Sequence, residues 1–271
     1  MICNNCSHKC DIPEGSSGIC HARSCRNGAI ECDNYGHVTS LALDPIEKKP
    51  LARFYPGSKI LSVGSYGCNM HCMWCQNDSI SRGYVDSDIL TAQELVDIAV
   101  NTRERGNIGI AYTYNEPSVG YEFVRDCAIL AKEHDLVNVS VTNGMLDSQR
   151  FCELLPYIDA YNIDLKTGIA SKYEAVGGDI DLIERNIESA HRAGKHVELT
   201  TLVVPGFNDA TDDFKRIIDF IAALDRLIPL HITRFFPAGD MRDVPPTKLQ
   251  ILYDFKQIAE EKLKYVYLGN V

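Results

Sequence analysis

Three cysteines stand on one short segment, Gly64-Ser-Tyr-Gly-Cys68-Asn-Met-His-Cys72-Met-Trp-Cys75-Gln-Asn77, with the spacing C-x3-C-x2-C. Thiolates this close together, on a loop that carries glycine, can converge on one small inorganic core. A closed [4Fe-4S] site takes four cysteines, so three leave one iron without a protein ligand, much as a catalytic zinc keeps one position open. The competing reading is a structural zinc loop with His71 as fourth ligand, although zinc sites generally draw pairs of ligands from separated segments. Idle thiols are the poorest reading, because three on an exposed loop would be an oxidation hazard.

A second group, Cys3-x2-Cys6-x3-Cys10-x9-Cys20, also has metal-type spacing. The segment that carries it is too poor in apolar residues to fold around a hydrophobic core, and a metal would supply the missing free energy. Structural zinc and an auxiliary [4Fe-4S] cluster both fit four such thiolates. Cys25 and Cys32 look like extras, while Cys127 and Cys152 fall in helical stretches and read as buried bystanders.

Composition sets the outer limits. The 271 residues are 45% hydrophobic and 24% charged, ordinary for a globular protein with a sizeable core. A formal charge of −10 without any compact basic patch argues against nucleic acid. No basic run followed by an apolar stretch opens the chain, and no apolar run reaches membrane-spanning length. A cytoplasmic location without membrane contact is expected. There thiols stay reduced, so the clusters among the eleven cysteines read as metal ligands rather than disulfides.

Elements must hold these residues in place. Residues 1–50 form a Cys-rich module and lead-in. From there to residue 271, β-rich runs alternate with amphipathic helices. Expected strands are Ile60–Val63, Ile108–Tyr114, Val137–Val141, Ala160–Leu165, Val197–Val204 and Leu230–Phe236. Helical faces are marked by Leu95, Ile98, Ala99 and Thr102, by Ile183, Ile187 and Ala190, and by Phe214, Ile217, Ile218 and Ile221 with Thr211 as cap. A last helix over about Thr247–Leu263 leads into Tyr265–Leu268. Six strand–helix repeats imply an α/β fold with a parallel sheet and right-handed crossovers. The arrangement is a doubly wound sheet or, as we expect, a partial (β/α)6 barrel, with chemistry at the carboxyl ends of the strands in either case.

Cys68-x3-Cys72-x2-Cys75, with Trp74 before the last cysteine, resembles the signature of the radical S-adenosylmethionine (SAM) superfamily. Asp44-Pro-Ile-Glu-Lys-Lys-Pro-Leu51, Tyr55-Pro-Gly-Ser58 and Cys75-Gln-Asn-Asp-Ser-Ile-Ser81 resemble the AmmeMemoRadiSam group, which is related to glycyl radical enzyme activases. The likeness covers nearly the whole chain, and the first four cysteines share it. Members of that group usually continue past Tyr267-Leu-Gly-Asn-Val271 into a tail with a further cysteine pair.

The resemblance implies a [4Fe-4S] cluster on Cys68, Cys72 and Cys75, whose open iron binds the amino and carboxylate groups of SAM, with Trp74 and Gln76 beside it. Asn115-Glu116-Pro117 stands where the superfamily has a Gly-Gly-Glu-Pro-like motif that receives the SAM ammonium, and Asn115 replaces a glycine there. A helix start with Pro in its first turn would look the same. Thr142-Asn143-Gly144 resembles the family's Thr-Asn-Gly, though an Asn-Gly turn explains it equally well. Asp164-Leu165-Lys166 looks like the Asp-Leu-Lys of the activases and implies contacts to SAM and substrate. Alternation puts Asp164 and Lys166 on one strand face, where a plain internal ion pair is the other reading. Val204 implies an apolar wall beside the adenine, and His231 matches a strand histidine near SAM. A satisfied core histidine is the alternative.

Three functions follow. One is a radical SAM enzyme that makes a 5′-deoxyadenosyl radical and acts on an unnamed substrate alongside Memo-like and Ammecr-like proteins. Another is an activase that takes hydrogen from a glycine of a protein or peptide partner. The third is a non-catalytic Fe-S or zinc protein for electron transfer or scaffolding. The first two imply a flavodoxin- or ferredoxin-type electron donor.

Overall fold

The computed structural model describes all 271 residues. A hairpin of β1 (Arg23–Arg26) and β2 (Ala29–Cys32) belongs to the Cys-rich module, and β3 (His37–Val38) pairs with β6 (Asp88–Ile89). The main sheet takes β4 (Ser40–Pro45), β5 (Lys59–Gly64), β7 (Asn107–Tyr112), β8 (Val137–Thr142), β9 (Ala160–Asp164), β10 (His196–Val203), β11 (Leu230–Arg234) and β12 (Val266–Gly269). The helices are α1 (Asp78–Ser81), α2 (Ala92–Asn101), α3 (Tyr121–Glu133), α4 (Ser148–Leu154), α5 (Ala170–Ala175), α6 (Ile180–Arg192), α7 (Thr211–Leu224) and α8 (Leu249–Glu260).

Strand order decides between the two expected architectures. From β5 through β12 each main-sheet strand is added on the same side of its predecessor, all of them parallel. A doubly wound sheet reverses direction at a switch point; this one never does, so it curls into a partial barrel. β4 pairs antiparallel with β5 and starts the sheet before residue 50. The sequence shows little sign of it, because Ser40–Pro45 alternates poorly between buried and exposed.

Between β4 and β5 the chain fills one end of the barrel interior. Ile46 and Leu51, fully buried, pack on Ile60, Ala111, Val139 and Ala160 from four successive strands. The remaining apolar faces form a single large cluster in which α2, α3, α6, α7 and α8 pack against the sheet. A capping box at Thr91 and Glu94 starts α2. Thr211 does not cap α7. It is the first helical residue, Ala210 holds the cap position without a side-chain bond, and Asp212 and Asp213 supply negative charge to the first turn. The strand expected to reach Tyr114 stops at Tyr112, since Tyr114 adopts φ +72°, a left-handed backbone that cannot continue a strand.

The Cys-rich module is not a free appendage. Asn5 Nδ2 donates to the Ser118 carbonyl, and Asn34 Nδ2 donates to that of Tyr66. Buried Arg23 donates to the Val119 carbonyl and, at 2.9 Å, to Glu122. Cys152 is exposed rather than buried, because Phe151 and Leu154 take the inner face of α4; Cys127 is buried as expected.

Two carboxylates tie acid stability to this architecture. Burial pushes Glu122 and Glu198 up, but hydrogen bonds from Arg23 to the first, and from His196 and His231 to the second, bring both down to about 2. The folded values lie below the ordinary 4.5, so the unfolded chain takes up protons first as pH falls. We expect the melting temperature of the full chain to hold above pH 4.5 and to drop between 4.5 and about 2. A flat profile across that window would show that these carboxylates are not held as described.

Candidate active site

Each main-sheet strand from β5 to β12 delivers residues to one cavity of about 760 Å³, within the usual range of about 300–1,000 Å³ for small-molecule sites. Its wall includes Cys68, Cys72, Trp74, Cys75 and Gln76 from the loop after β5, and Asn115 and Glu116 after β7. Thr142 and Asn143 join from β8, Asp164 and Lys166 from β9, and His231 from β11. These are residues that spacing and strand ends single out in the sequence, and the fold brings them together.

The cysteine loop is braced from both sides. On its entry side Asn115 accepts from the Ser65 amide and donates to the carbonyls of Tyr66 and Gly67. Gly67 has φ +88°, and a Cβ there would sit 2.6 Å from the Cys20 carbonyl oxygen, so the module lies directly against the loop. Within the loop, the Met70 amide donates to Cys68 Sγ at 3.4 Å and Asn143 Nδ2 approaches the same sulfur at 3.8 Å. Asn143 also donates to Asn69 Oδ1 at 2.8 Å. On the exit side the Asp240 amide donates to the Met73 carbonyl, and Asp240 pairs with Arg82 at 2.6 Å. Trp74 is buried against Phe207, ring centroids 4.4 Å apart.

Glu116 is buried and its carboxylate is engaged by protein donors. Thr142 Oγ1 donates to it at 2.6 Å, the Asn143 amide at 2.7 Å and the Ser118 amide at 2.9 Å. Burial pushes its carboxyl up, against those bonds. It ties the ends of β7 and β8 together and also caps the turn at Pro117–Gly120, so the helix-start reading of Asn-Glu-Pro describes real local structure. Asp164 and Lys166 make an ion pair at 2.8 Å on the cavity side. Burial alone would push Lys166 down, but Asp164 and Cys72 together hold it well above its ordinary value. Fully buried Tyr173 fixes this strand end by accepting the Lys166 amide at 2.7 Å.

Two expected contacts lie outside the cavity wall. Leu165 is buried in the core, as alternation between Asp164 and Lys166 demands. Val204 is fully buried, with its amide donating to Asn208 Oδ1 at 2.7 Å in the turn after β10. His71 is exposed, and no three His, Cys, Asp or Glu side chains surround a single-ion position anywhere in the chain.

The donor set fits a cluster with one open iron. Cys68, Cys72 and Cys75 are all free thiols on one loop facing one cavity. Burial, reinforced by Glu116, pushes the Cys68 thiol up, and burial also pushes up Cys72. Bare thiolates there are costly, and a cationic metal core is what stabilises them. The residues the sequence did not reveal are the braces: Asn69, Tyr173, Gly239 and Asp240. Only Gly239-Asp240 carries a sequence signal, that of a turn.

Comparison with known proteins agrees with this geometry. Residues 62–221 match the Radical SAM superfamily. The chain is 42% identical over 277 residues to the uncharacterized protein MJ0808 of Methanocaldococcus jannaschii, covering 99% of this chain and 81% of that one. It is 23% identical to the 4-hydroxyphenylacetate decarboxylase activating enzyme of Clostridioides difficile, covering 95% and 77%. In fold it resembles a domain of pyruvate-formate lyase-activating enzyme from Bacteroides vulgatus, with a TM-score of 0.52 at 18% identity over 60% of this chain and 99% of that one. The chain belongs to the radical SAM superfamily, whose enzymes use a [4Fe-4S] cluster and SAM. No helix is long and apolar enough to cross a membrane.

Gly239 gives a test of the bracing. Its φ is +57°, and a Cβ would fall 2.4 Å from the Met73 carbonyl oxygen. Gly239→Ala should lower the melting temperature by roughly 4–8 °C, as expected for about 2 kcal/mol in a chain of this size. It should also reduce the iron retained after anaerobic reconstitution. Wild-type stability and iron content in the variant would show that this turn does not brace the loop.

Proposed function

We propose that this chain cleaves SAM reductively and uses the product radical to take a hydrogen atom from a substrate. What carries the reading is that three thiols from one loop share a cavity wall with Glu116 and with the Asp164–Lys166 pair. When bound, the cluster on Cys68, Cys72 and Cys75 supplies one electron to the sulfonium, giving methionine and a 5′-deoxyadenosyl radical. The chain's own residues do the rest. Glu116 holds Thr142 and Asn143 in position for the methionine end of SAM. Lys166 stays charged beside Asp164 and sets the polarity of the wall facing the reacting carbon. Trp74, Gln76 and His231 contact the rest of the cofactor, and Tyr173 keeps the end of β9 in register.

The Asp44–Leu51 string supports AmmeMemoRadiSam character, and with it partnership with Memo-like and Ammecr-like proteins. The similarity to an activating enzyme favours a second reading, in which the hydrogen comes from a glycine of a protein partner. Both readings take electrons from a flavodoxin- or ferredoxin-type donor in the cytoplasm. Cys3, Cys6, Cys10 and Cys20 all line one small void against Arg23 and Val119, and since no three of them surround a single-ion position, of zinc and Fe-S the arrangement favours an Fe-S cluster as the second metal site. Cys25 lies near Glu14 and Cys32 near Asn34, both outside that void.

Anaerobically reconstituted protein should be brown and, with SAM and dithionite, should release 5′-deoxyadenosine. Cys72→Ala should abolish release. A cluster-loaded wild type that yields none would sink the proposal, and activity surviving in the variant would move the cluster elsewhere. The activase reading adds a glycyl doublet in the electron paramagnetic resonance spectrum of a partner protein.

A further inference from the structure

The Asp44–Arg53 segment does more than plug the barrel. Asn162 Nδ2 donates to the Pro50 carbonyl at 2.8 Å. The Ala52 and Arg53 amides donate to Glu198 on β10, at 3.0 and 2.8 Å. Glu198 is fully buried, and its other two acceptor positions are taken by His196 Nε2 at 2.8 Å and His231 Nε2 at 2.6 Å. Each oxygen therefore receives one amide and one imidazole.

A buried carboxylate accepting four bonds is the charged form. Burial pushes it up, but the two histidines and the two amides overcome this and hold it at about 2. An ionised acceptor leaves each neutral imidazole one arrangement, with hydrogen on Nε2. In His231 the lone pair then sits on Nδ1. That ring stacks on Tyr267, with centroids 5.2 Å apart and planes 25° apart, and stands in the cavity wall. No protein group bonds its Nδ1; the ring's hydrogen bond to the protein is the Nε2 bond to Glu198.

We infer that Glu198 is a positioning residue, which fixes His231 as the Nε2–H tautomer and presents its Nδ1 to the cavity as an acceptor for a hydroxyl or amino group of SAM. The inference rests on the proposed function and deepens it. The ligand-facing atom is on β11, but its tautomer is set on β10, and the backbone of the floor segment sets the position of that carboxylate. A family likeness at His231 does not reveal this, because Glu198 reads in the sequence as one of several polar residues on its strand, beside His196, Thr200 and Thr201.

The test is a tautomer measurement joined to a double-mutant cycle on the full-length reconstituted protein. Nitrogen-15 spectra of labelled histidine should show His231 with hydrogen on Nε2 in the wild type, and a mixture or the other tautomer in Glu198→Gln. SAM affinity measured by anaerobic calorimetry should fall about fivefold in His231→Ala and in Glu198→Gln, the scale of one neutral hydrogen bond. The double variant should bind no more weakly than His231→Ala alone. His196→Ala, which removes the other imidazole, should keep the His231 tautomer and bind SAM as the wild type does. Losses that multiply in the double variant would overturn the inference, as would hydrogen on Nδ1 in the wild type. Should Glu198→Gln fail to fold, the wild-type tautomer still decides. It also needs no SAM, so failure of the proposed function and failure of this inference are read separately.

Discussion

A thiolate taken out of water without a cation beside it is costly, and the loop from Cys68 to Cys75 takes three cysteines into or beside a buried wall. Glu116 lies close enough to make the Cys68 thiol harder still to ionise. The arrangement makes sense around a metal core that neutralises the thiolates and is left one protein ligand short. Much of the surrounding structure keeps that loop in one shape. Asn115 holds its entry, Asn143 and Asn69 its middle, and the turn at Gly239-Asp240 its exit. Burial supplies affinity for a cation, and bracing keeps the cavity side open.

The barrel serves that constraint. Because every main-sheet strand after β5 is added on the same side, carboxyl ends from six further strands curve around the loop instead of spreading away from it. Each contributes one or two polar groups, and most of those groups are already paired with each other. Glu116 is held by Thr142 and Asn143, Lys166 by Asp164, and His231 by Glu198. Such pairing costs little reorganisation when a ligand arrives, which is how a preorganised polar wall acts. At the other end of the interior, Ile46 and Leu51 close the barrel and leave the cavity as the space above them.

Much of this could be read in the chain. Six of the seven parallel strands emerge from short β-branched runs, and the cysteine spacing marks the loop without any structure. Asp164 and Lys166 share a face because strands alternate, and for the same reason Leu165 does not join them. What stayed hidden depends on tertiary pairing. Ser40–Pro45 lacks alternation because it is an edge strand with much of its surface open. Glu198 meets its partners Ala52, Arg53 and His231 only through folding, across separations that no local pattern records. Thr211 has the right residue type for a cap and stands one position too late. Cys152 is exposed although its helical stretch reads as buried, because one-sided burial of α4 depends on which face meets α6.

The central claim is that the cluster on Cys68, Cys72 and Cys75 keeps one iron free for SAM. Electron–nuclear double resonance on the reduced, reconstituted protein tests this directly, using SAM labelled with nitrogen-15 at the amino group and oxygen-17 at the carboxylate. The account predicts hyperfine coupling from both labels to the cluster. Spectra with no coupling from either label, in a sample shown to bind SAM, would contradict it.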